Sequence, residues 1–180
     1  IKNNIDSITI LKNIMKVNIA LLTVTDTRTF DNDKSGNILV EKIEEAKHCL
    51  FDRKICKDNK VDIVLILKEW LKNEKIDVII TTGGTGLTGR DITPEALEDI
   101  ADKHIPGFGE VFRTLSLKTV GTSAIQSRAC AVLSNGKYVF ALPGSSGGVT
   151  DAWEGILKHQ LDINHKPCNF VELFPRLKEK

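Results

Sequence analysis

The run Thr81-Thr82-Gly83-Gly84-Thr85-Gly86, with Arg90-Asp91 and Thr93-Pro94-Glu95 close behind it, constrains this chain more than any other segment. It follows Asp77-Val78-Ile79-Ile80, an apolar, β-branched stretch that reads as a buried strand, so the glycines fall where a strand gives way to a loop. Glycines leave backbone N–H groups open to close approach by an anion, and Asp91 and Glu95 offer hard oxygen ligands for a divalent cation. The first reading is a phosphate site with a metal beside it. Gly84-Thr85-Gly86-Leu87-Thr88-Gly89 also fits the dinucleotide pattern G-x-G-x-x-G, which needs a helix opening inside the glycines and a strand within about 30 residues. The expected helix starts later, with Thr93 as N-cap and Pro94 at the first helical position, and the chain breaks at Pro106-Gly107 with no strand in sight. A nicotinamide site is therefore disfavoured.

Strand and helix patterns alternate along the chain. Val17 to Val24 reads as a buried first strand; Ile38, Leu39, Ile43 and Ala46 then form a helical stripe, and a second strand lies within Cys49 to Cys56. A helix from about Lys60 to Glu74 carries Ile63, Ile66, Leu67, Trp70 and Leu71 on one face. Beyond the glycine loop come helical pieces at Pro94 to Ala101 and Phe108 to Leu117, and a strand at Ala129 to Leu133. Asn135-Gly136 then signals a hairpin that returns Tyr138 to Leu142 antiparallel. The pattern predicts an α/β fold: three layers, a mostly parallel sheet with an antiparallel edge hairpin, and helices on both faces. Residues 1–16 are expected to be an amino-terminal extension or an arm on a neighbouring subunit, 17–166 a single domain and 167–180 a tail.

A second loop, Pro143-Gly144-Ser145-Ser146-Gly147-Gly148, joins the last strand to a helix carrying Ala152, Ile156, Leu157 and Leu161. Both glycine loops would lie beyond the carboxyl ends of strands, where open α/β sheets place ligands, so two anion cradles are expected to face one crevice. Taken alone, either loop serves equally well as a tight turn or a cap. The acidic residues beside the first tip the balance towards function.

Composition excludes several other classes. With 180 residues and 41% apolar content, one domain can bury about 70% of its unfolded surface without staples. The net charge is +1, from 25 basic and 24 acidic residues that are well mixed, which gives no footprint for nucleic acid or anionic membrane. No apolar run reaches the length of a membrane span, and Lys12 and Asn13 interrupt Ile8 to Leu11 before anything resembling a signal peptide forms. Cys49, Cys56, Cys130 and Cys168 have no zinc-site spacing and read as reduced thiols, so a cytoplasmic location is expected. His48, His104, His159 and His165 are scattered, and Ser127 lacks a nucleophile elbow. Trp70 and Trp153 fit core faces or subunit contacts.

Several ordered motifs carry a resemblance. Val24-Thr25-Asp26-Thr27, Asp33-Lys34-Ser35-Gly36, Thr82-Gly83-Gly84-Thr85-Gly86, Arg90-Asp91-Ile92-Thr93-Pro94-Glu95, Pro106-Gly107-Phe108-Gly109-Glu110 and Leu142-Pro143-Gly144 resemble the MoaB/MogA molybdenum cofactor biosynthesis family, from about Val17 to Phe170. Ser123 to Arg128 and Lys166 to Phe170 resemble its MoaB branch. The resemblance implies an α/β domain that forms a homotrimer or homohexamer and binds molybdopterin. In MogA-like members it implies Mg-ATP-dependent adenylylation of the pterin's terminal phosphate, with release of pyrophosphate; the alternative is a non-catalytic molybdopterin-binding or scaffold protein.

Carried onto this chain, Thr82, Gly83, Gly84, Thr85 and Gly86 would cradle nucleotide phosphates, while Pro143, Gly144 and Ser145 would shape the pterin-phosphate side. Asp91 would bind or orient Mg²⁺ as the catalytic residue. Glu95 would assist it or oppose a helix dipole. The resemblance sets Asp58 at a further metal position, although Lys57-Asp58-Asn59 lacks the family's proline-aspartate-glutamate pattern, and Ser146-Gly147-Gly148 departs from the usual continuation of the second loop. Asp26 is within reach of the crevice, Asp31 and Asp33 read as solvated loop residues, and Arg90 and Arg128 serve either a phosphate or a salt bridge. Leu173, Phe174 and Leu177 together suggest a subunit contact.

Overall fold

The computed structural model describes residues 15–179. The expected amino-terminal extension and its use as an arm lie outside the described residues, apart from Met15 and Lys16. β1 (Asn18–Val24) leads through α1 (Lys34–Glu45) to β2 (Cys49–Cys56), and α2 (Lys60–Lys72) leads on to β3 (Val78–Thr82). After the glycine loop come α3 (Thr93–Glu98), β4 (Lys103–His104) and α4 (Pro106–Val120), which runs into a 3₁₀ turn (Gly121–Gln126). β5 (Cys130–Ser134) and β6 (Lys137–Leu142) form the hairpin. α5 (Ser146–Ala152) then continues through a π-turn (Trp153–Leu157) into a last turn (Lys158–Gln160).

The strands form a six-stranded sheet in the order β2-β1-β3-β6-β5-β4. β2, β1, β3 and β6 are mutually parallel, and β5 runs antiparallel to both β6 and β4. Burial on both faces explains why β1, β3 and β6 read as largely apolar runs. On β1, Ile19 and Leu21 point into a core shared with Leu39 and Ile43 of α1, Phe108 and Phe112 of α4, and Trp153. Ala20, Leu22 and Val24 point the other way, onto Ile63, Leu67 and Trp70 of α2 and Leu97 of α3. The expected three-layer architecture with its antiparallel edge is thus the one found. Asn135 and Gly136 take positive φ (45° and 70°), as a two-residue hairpin turn requires.

Four sequence expectations are corrected. A strand does precede Pro106: β4 pairs with β5 through only two residues, too few to show any periodicity, and α4 begins at Pro106 instead of the chain breaking there. The dinucleotide pattern still fails, because β4 lies at the far edge, antiparallel to its neighbour, and no helix opens inside the glycines. Thr93 is the first helical residue and not the cap; its hydroxyl donates to the Gly83 carbonyl (2.8 Å). In the tail, Phe174 and Leu177 pack within the chain, alongside Phe170 stacked on Tyr138 at 4.5 Å, while Leu173 remains exposed.

Asp33 is the fourth correction, since it is 0% exposed rather than solvated. Its carboxylate accepts from the Thr23 hydroxyl (2.6 Å), the Gly36 N–H (3.0 Å) and the Arg53 guanidinium (3.0 Å), which ties β1, the start of α1 and β2 together. Burial alone would raise its pKa, but the Thr23 and Gly36 bonds and the Arg53 charge outweigh that and hold it below the ordinary 3.8. A depressed folded pKa stabilises fully above the unfolded value, and that contribution fades as pH falls through the folded one. We expect Asp33→Asn to cost about 3 kcal/mol at pH 7 by leaving the Arg53 charge with only the neutral Asn37 oxygen (2.8 Å) to answer it. Denaturant titrations should show the deficit narrowing below pH 3.8; a deficit independent of pH would contradict the assignment.

Candidate functional site

The carboxyl ends of β1, β2, β3 and β6 open on one cavity of about 630 Å³, whose lining includes Thr25, Arg28, Ser35, Asp58, Gly83 to Gly86, Asp91, Ser127 and Pro143 to Ser145. Its position follows from the strand order: β1 is flanked by β2 on one side and β3 on the other, so the loops after β1 diverge from its neighbours' and leave a crevice.

Backbone contact fixes the two glycine loops side by side. Gly83 takes φ +104°, and a Cβ there would collide with the Val24 carbonyl oxygen; a Cβ on Gly144 would stand 3.2 Å from the Gly83 Cα. Gly83 N–H donates to the Leu142 carbonyl (3.0 Å), and the Thr82 hydroxyl donates to the Pro143 carbonyl (2.8 Å). Thr82, Gly83, Gly84, Thr85 and Gly86 thus share one wall with Pro143, Gly144 and Ser145, as the sequence led us to expect. Ser145 accepts from the Gly148 N–H (3.1 Å), which leaves its own hydroxyl proton free to donate.

The acidic residues divide. Asp91 lines the cavity, and its carboxylate accepts from the Thr88 N–H (2.9 Å) and hydroxyl (2.7 Å). A Cβ on Gly86 would sit 2.7 Å from one of its oxygens, so that glycine is what admits the carboxylate. Burial raises the Asp91 pKa, but the Thr88 and Gly86 bonds and the Arg128 charge hold it below the ordinary value. Asp58 also lines the cavity; burial, then the negative charges of Asp26 and Asp91, push its pKa up against the opposing pull of Arg90.

Glu95 stands apart from the cavity lining, in an ion pair with Arg128. Arg128 also donates to the carbonyls of Gly86 (2.6 Å) and Asp91 (2.6 Å), so of its two expected roles it fills the structural one. Arg90 pairs with Asp26, whose carboxylate accepts the Asp58 N–H (3.3 Å). Among the described residues, no group of three or more His, Cys, Asp or Glu is arranged to hold an ion. Asp58 and Asp91, both in the cavity wall, nevertheless have the donor chemistry for a cation that takes one or two carboxylates and completes its shell from phosphate and water, as Mg²⁺ does. Glu95, committed to Arg128, does not fit that role.

Sequence reading missed Arg28, Thr25, Ser35, Ser123 and Gln126 as lining residues. Arg28 donates from Nη1 to the Ser35 hydroxyl (3.1 Å) and to the Gly144 carbonyl (3.2 Å), a residue 116 positions away, and no local pattern announces such a contact. Among the described residues, no helix is long and apolar enough to cross a membrane.

A doubly covered α/β sheet carries two adjoining glycine loops and a pair of carboxylates at its strand-order switch, the place where open α/β folds bind their ligands. Residues 20–163 match the family described as "probable molybdopterin binding domain". The chain is 44% identical over 161 residues to molybdenum cofactor biosynthesis protein B of Escherichia coli (strain K12), covering 89% of this chain and 93% of that protein. A crystal structure of molybdenum cofactor biosynthesis protein B superposes with a TM-score of 0.84 at 37% identity, over 93% of this chain and 99% of that one. The tungsten cofactor synthesizing protein MoaB from Pyrococcus furiosus superposes with a TM-score of 0.71 at 35% identity, over 80% and 92% of the two chains. The chain belongs to this molybdopterin-binding family of molybdenum cofactor biosynthesis proteins.

The glycine contacts predict an order of cost. Gly83→Ala combines a left-handed φ with a collision against backbone and should destabilise by about 3 kcal/mol or more. Gly144→Ala needs only a few tenths of an ångström of relief and should cost about 1 kcal/mol, while weakening ligand binding by prising the loops apart. Equal midpoints for the two variants in guanidinium unfolding would contradict this account of the loop contact.

Proposed function

We propose that the protein is a molybdopterin adenylyltransferase of the cytoplasm that uses Mg²⁺ and ATP. The observation that carries this reading is the contact between the two glycine loops, which makes one crevice lined by both loops with Asp58 and Asp91 in its wall. In the reaction, an oxygen of the pterin's terminal phosphate attacks the α-phosphorus of ATP. A new P–O bond forms, the bond from the α-phosphorus to the oxygen bridging the β-phosphate breaks, and pyrophosphate leaves with that electron pair. No covalent nucleophile from the protein is needed; the work is holding two anions in line and offsetting their repulsion.

The chain's residues suit that work. Gly84 and Thr85 would receive the nucleotide phosphates on backbone N–H groups, beside Thr82, Gly83 and Gly86, of which Gly83 spends its N–H on Leu142 and Gly86 on the Asp91 carboxylate, and Pro143, Gly144 and Ser145 would hold the pterin phosphate. Mg²⁺, held by Asp91 and Asp58 with phosphate oxygens and water, would offset charge on the departing pyrophosphate. Thr88 fixes the Asp91 carboxylate in place and keeps it ionised. One observation favours a second reading, a pterin-binding protein without turnover: Asn59, where MogA-like members carry a carboxylate, spends its side chain capping α2 through the N–H groups of Val61 (2.9 Å) and Asp62 (3.3 Å).

Purified protein given molybdopterin and Mg-ATP should release pyrophosphate and form the adenylylated pterin, both detectable by mass. Asp91→Asn should lower turnover by about 100-fold or more. Its melting temperature should stay close to that of the parent protein, because asparagine keeps an oxygen for the Thr88 donors. Pterin binding with no turnover by the parent protein would select the second reading.

We also propose a homotrimer or homohexamer. Leu117 of α4 and Ile125 of the 3₁₀ turn line one exposed apolar hollow and would gain from cover. Light scattering should report three or six times the chain mass of 19.9 kDa, and a monomer mass would overturn this.

A further inference from the structure

The charges lining the crevice do not match what the crevice must bind. Two phosphate-bearing ligands bring several negative charges, yet Asp58 and Asp91 in the wall are themselves anionic. Among the described residues that line it, Arg28 is the sole cation. Arg128 and Arg90, the other arginines nearby, are committed to Glu95 and Asp26.

Arg28 is not committed in the same way. The carboxylate closest to it is Asp33, at 3.9 Å, and Asp33 already has its charge answered by Arg53 at 3.0 Å and its lone pairs filled by Thr23 and Gly36. The contacts that hold Arg28 are neutral: Nη1 donates to the Ser35 hydroxyl and to the Gly144 carbonyl. These bonds fix one corner of the guanidinium, while Nε and Nη2 have no partner among the described residues, and 37% of the side chain stays exposed at the crevice. A guanidinium anchored at one nitrogen, with a second edge free, presents two parallel donors to a tetrahedral anion. Because its anchor is Gly144, the free edge belongs to the second glycine loop and not to the loop beside Asp91.

We propose that Arg28 is the specificity-determining residue for the second ligand, binding the dianionic terminal phosphate of the pterin and discriminating it from a pterin that ends in a hydroxyl. This rests on the reading of the crevice as a molybdopterin site but does not require turnover. Arg28 supplies the cation that keeps this phosphate beside the nucleotide phosphates despite their mutual repulsion, and its attachment to Gly144 fixes the phosphate relative to the loop carrying Gly83.

The test measures equilibrium binding of molybdopterin and of its dephosphorylated form, with ATP titrated separately, to the full chain and to Arg28→Ala and Arg28→Lys. Arg28→Ala should weaken molybdopterin binding roughly 10- to 100-fold and leave the dephosphorylated pterin within about twofold, so that the ratio of the two affinities collapses. Arg28→Lys, which keeps the charge and loses the fork, should recover part of that ratio. ATP affinity should stay within about threefold in both variants. If Arg28→Ala does not fold, Arg28→Gln, which keeps a donor for Gly144, replaces it with the same expectation. An unchanged ratio in a folded variant overturns the proposal, as does a loss that falls on ATP instead. If the parent protein binds pterin without adenylylating it and the ratio still collapses, the enzymatic reading fails while this assignment stands.

Discussion

Everything at the crevice depends on how closely the backbone passes itself at Gly83. The residue ends β3 at φ +104°, with the Val24 carbonyl of β1 where a side chain would begin. Its N–H is bonded to Leu142 of β6, and its carbonyl accepts from Thr93 of α3. One residue at the end of β3 therefore links β6 and α3, and Gly144 packs on its Cα. Remove the freedom from a Cβ and the strand ends must separate, so the second loop would no longer face the first. The crevice floor is consequently backbone, the one surface that offers N–H donors without the flexibility of side chains.

The carboxylates around that floor are sorted by how well they are satisfied. Asp33 lies below its ordinary pKa because of the Thr23 and Gly36 hydrogen bonds and then Arg53, and Glu95 because of Arg128; their charges hold elements together. Asp58 lies above its ordinary value because burial and two like charges oppose its ionisation, with Arg90 compensating only in part. Asp91 sits between these cases: hydrogen bonds from its own loop keep it ionised and oriented while it still faces the cavity. A carboxylate the fold satisfies has little to gain from a ligand, whereas one the fold leaves strained gains a great deal from an arriving cation.

The parts of this arrangement legible in the sequence are those with local signals. Apolar runs marked β1, β3 and β6, Asn135-Gly136 marked the hairpin, and the two glycine loops followed from their places at strand ends. What escaped is long-range or too short to have a period. β4 is two residues long, and its pairing is decided by the β5 edge. Asp33 looks like any polar turn residue until Thr23 and Arg53 close over it from other strands. Thr93 has the residue type of a cap, yet it stands one position inside the helix and its hydroxyl donates to the Gly83 carbonyl instead of accepting a helix N–H. Arg28 and Arg128 took their roles from partners 116 and 42 positions away.

Arg128 shows why the division of labour among the arginines matters. Its guanidinium spans the Gly86 and Asp91 carbonyls and the Glu95 carboxylate, and its own N–H donates to Thr85, so both ends of the glycine-to-aspartate segment are pinned to one residue. A loop rich in glycine loses more conformational entropy on ordering than any other, and this staple settles that cost during folding, before a ligand arrives. The consequence is electrostatic as well as mechanical: a cation spent on two carbonyls and on Glu95, outside the cavity lining, is not available inside the crevice. Neutralisation inside the crevice then falls to whatever the carboxylates can recruit and to the one guanidinium that leans on Gly144.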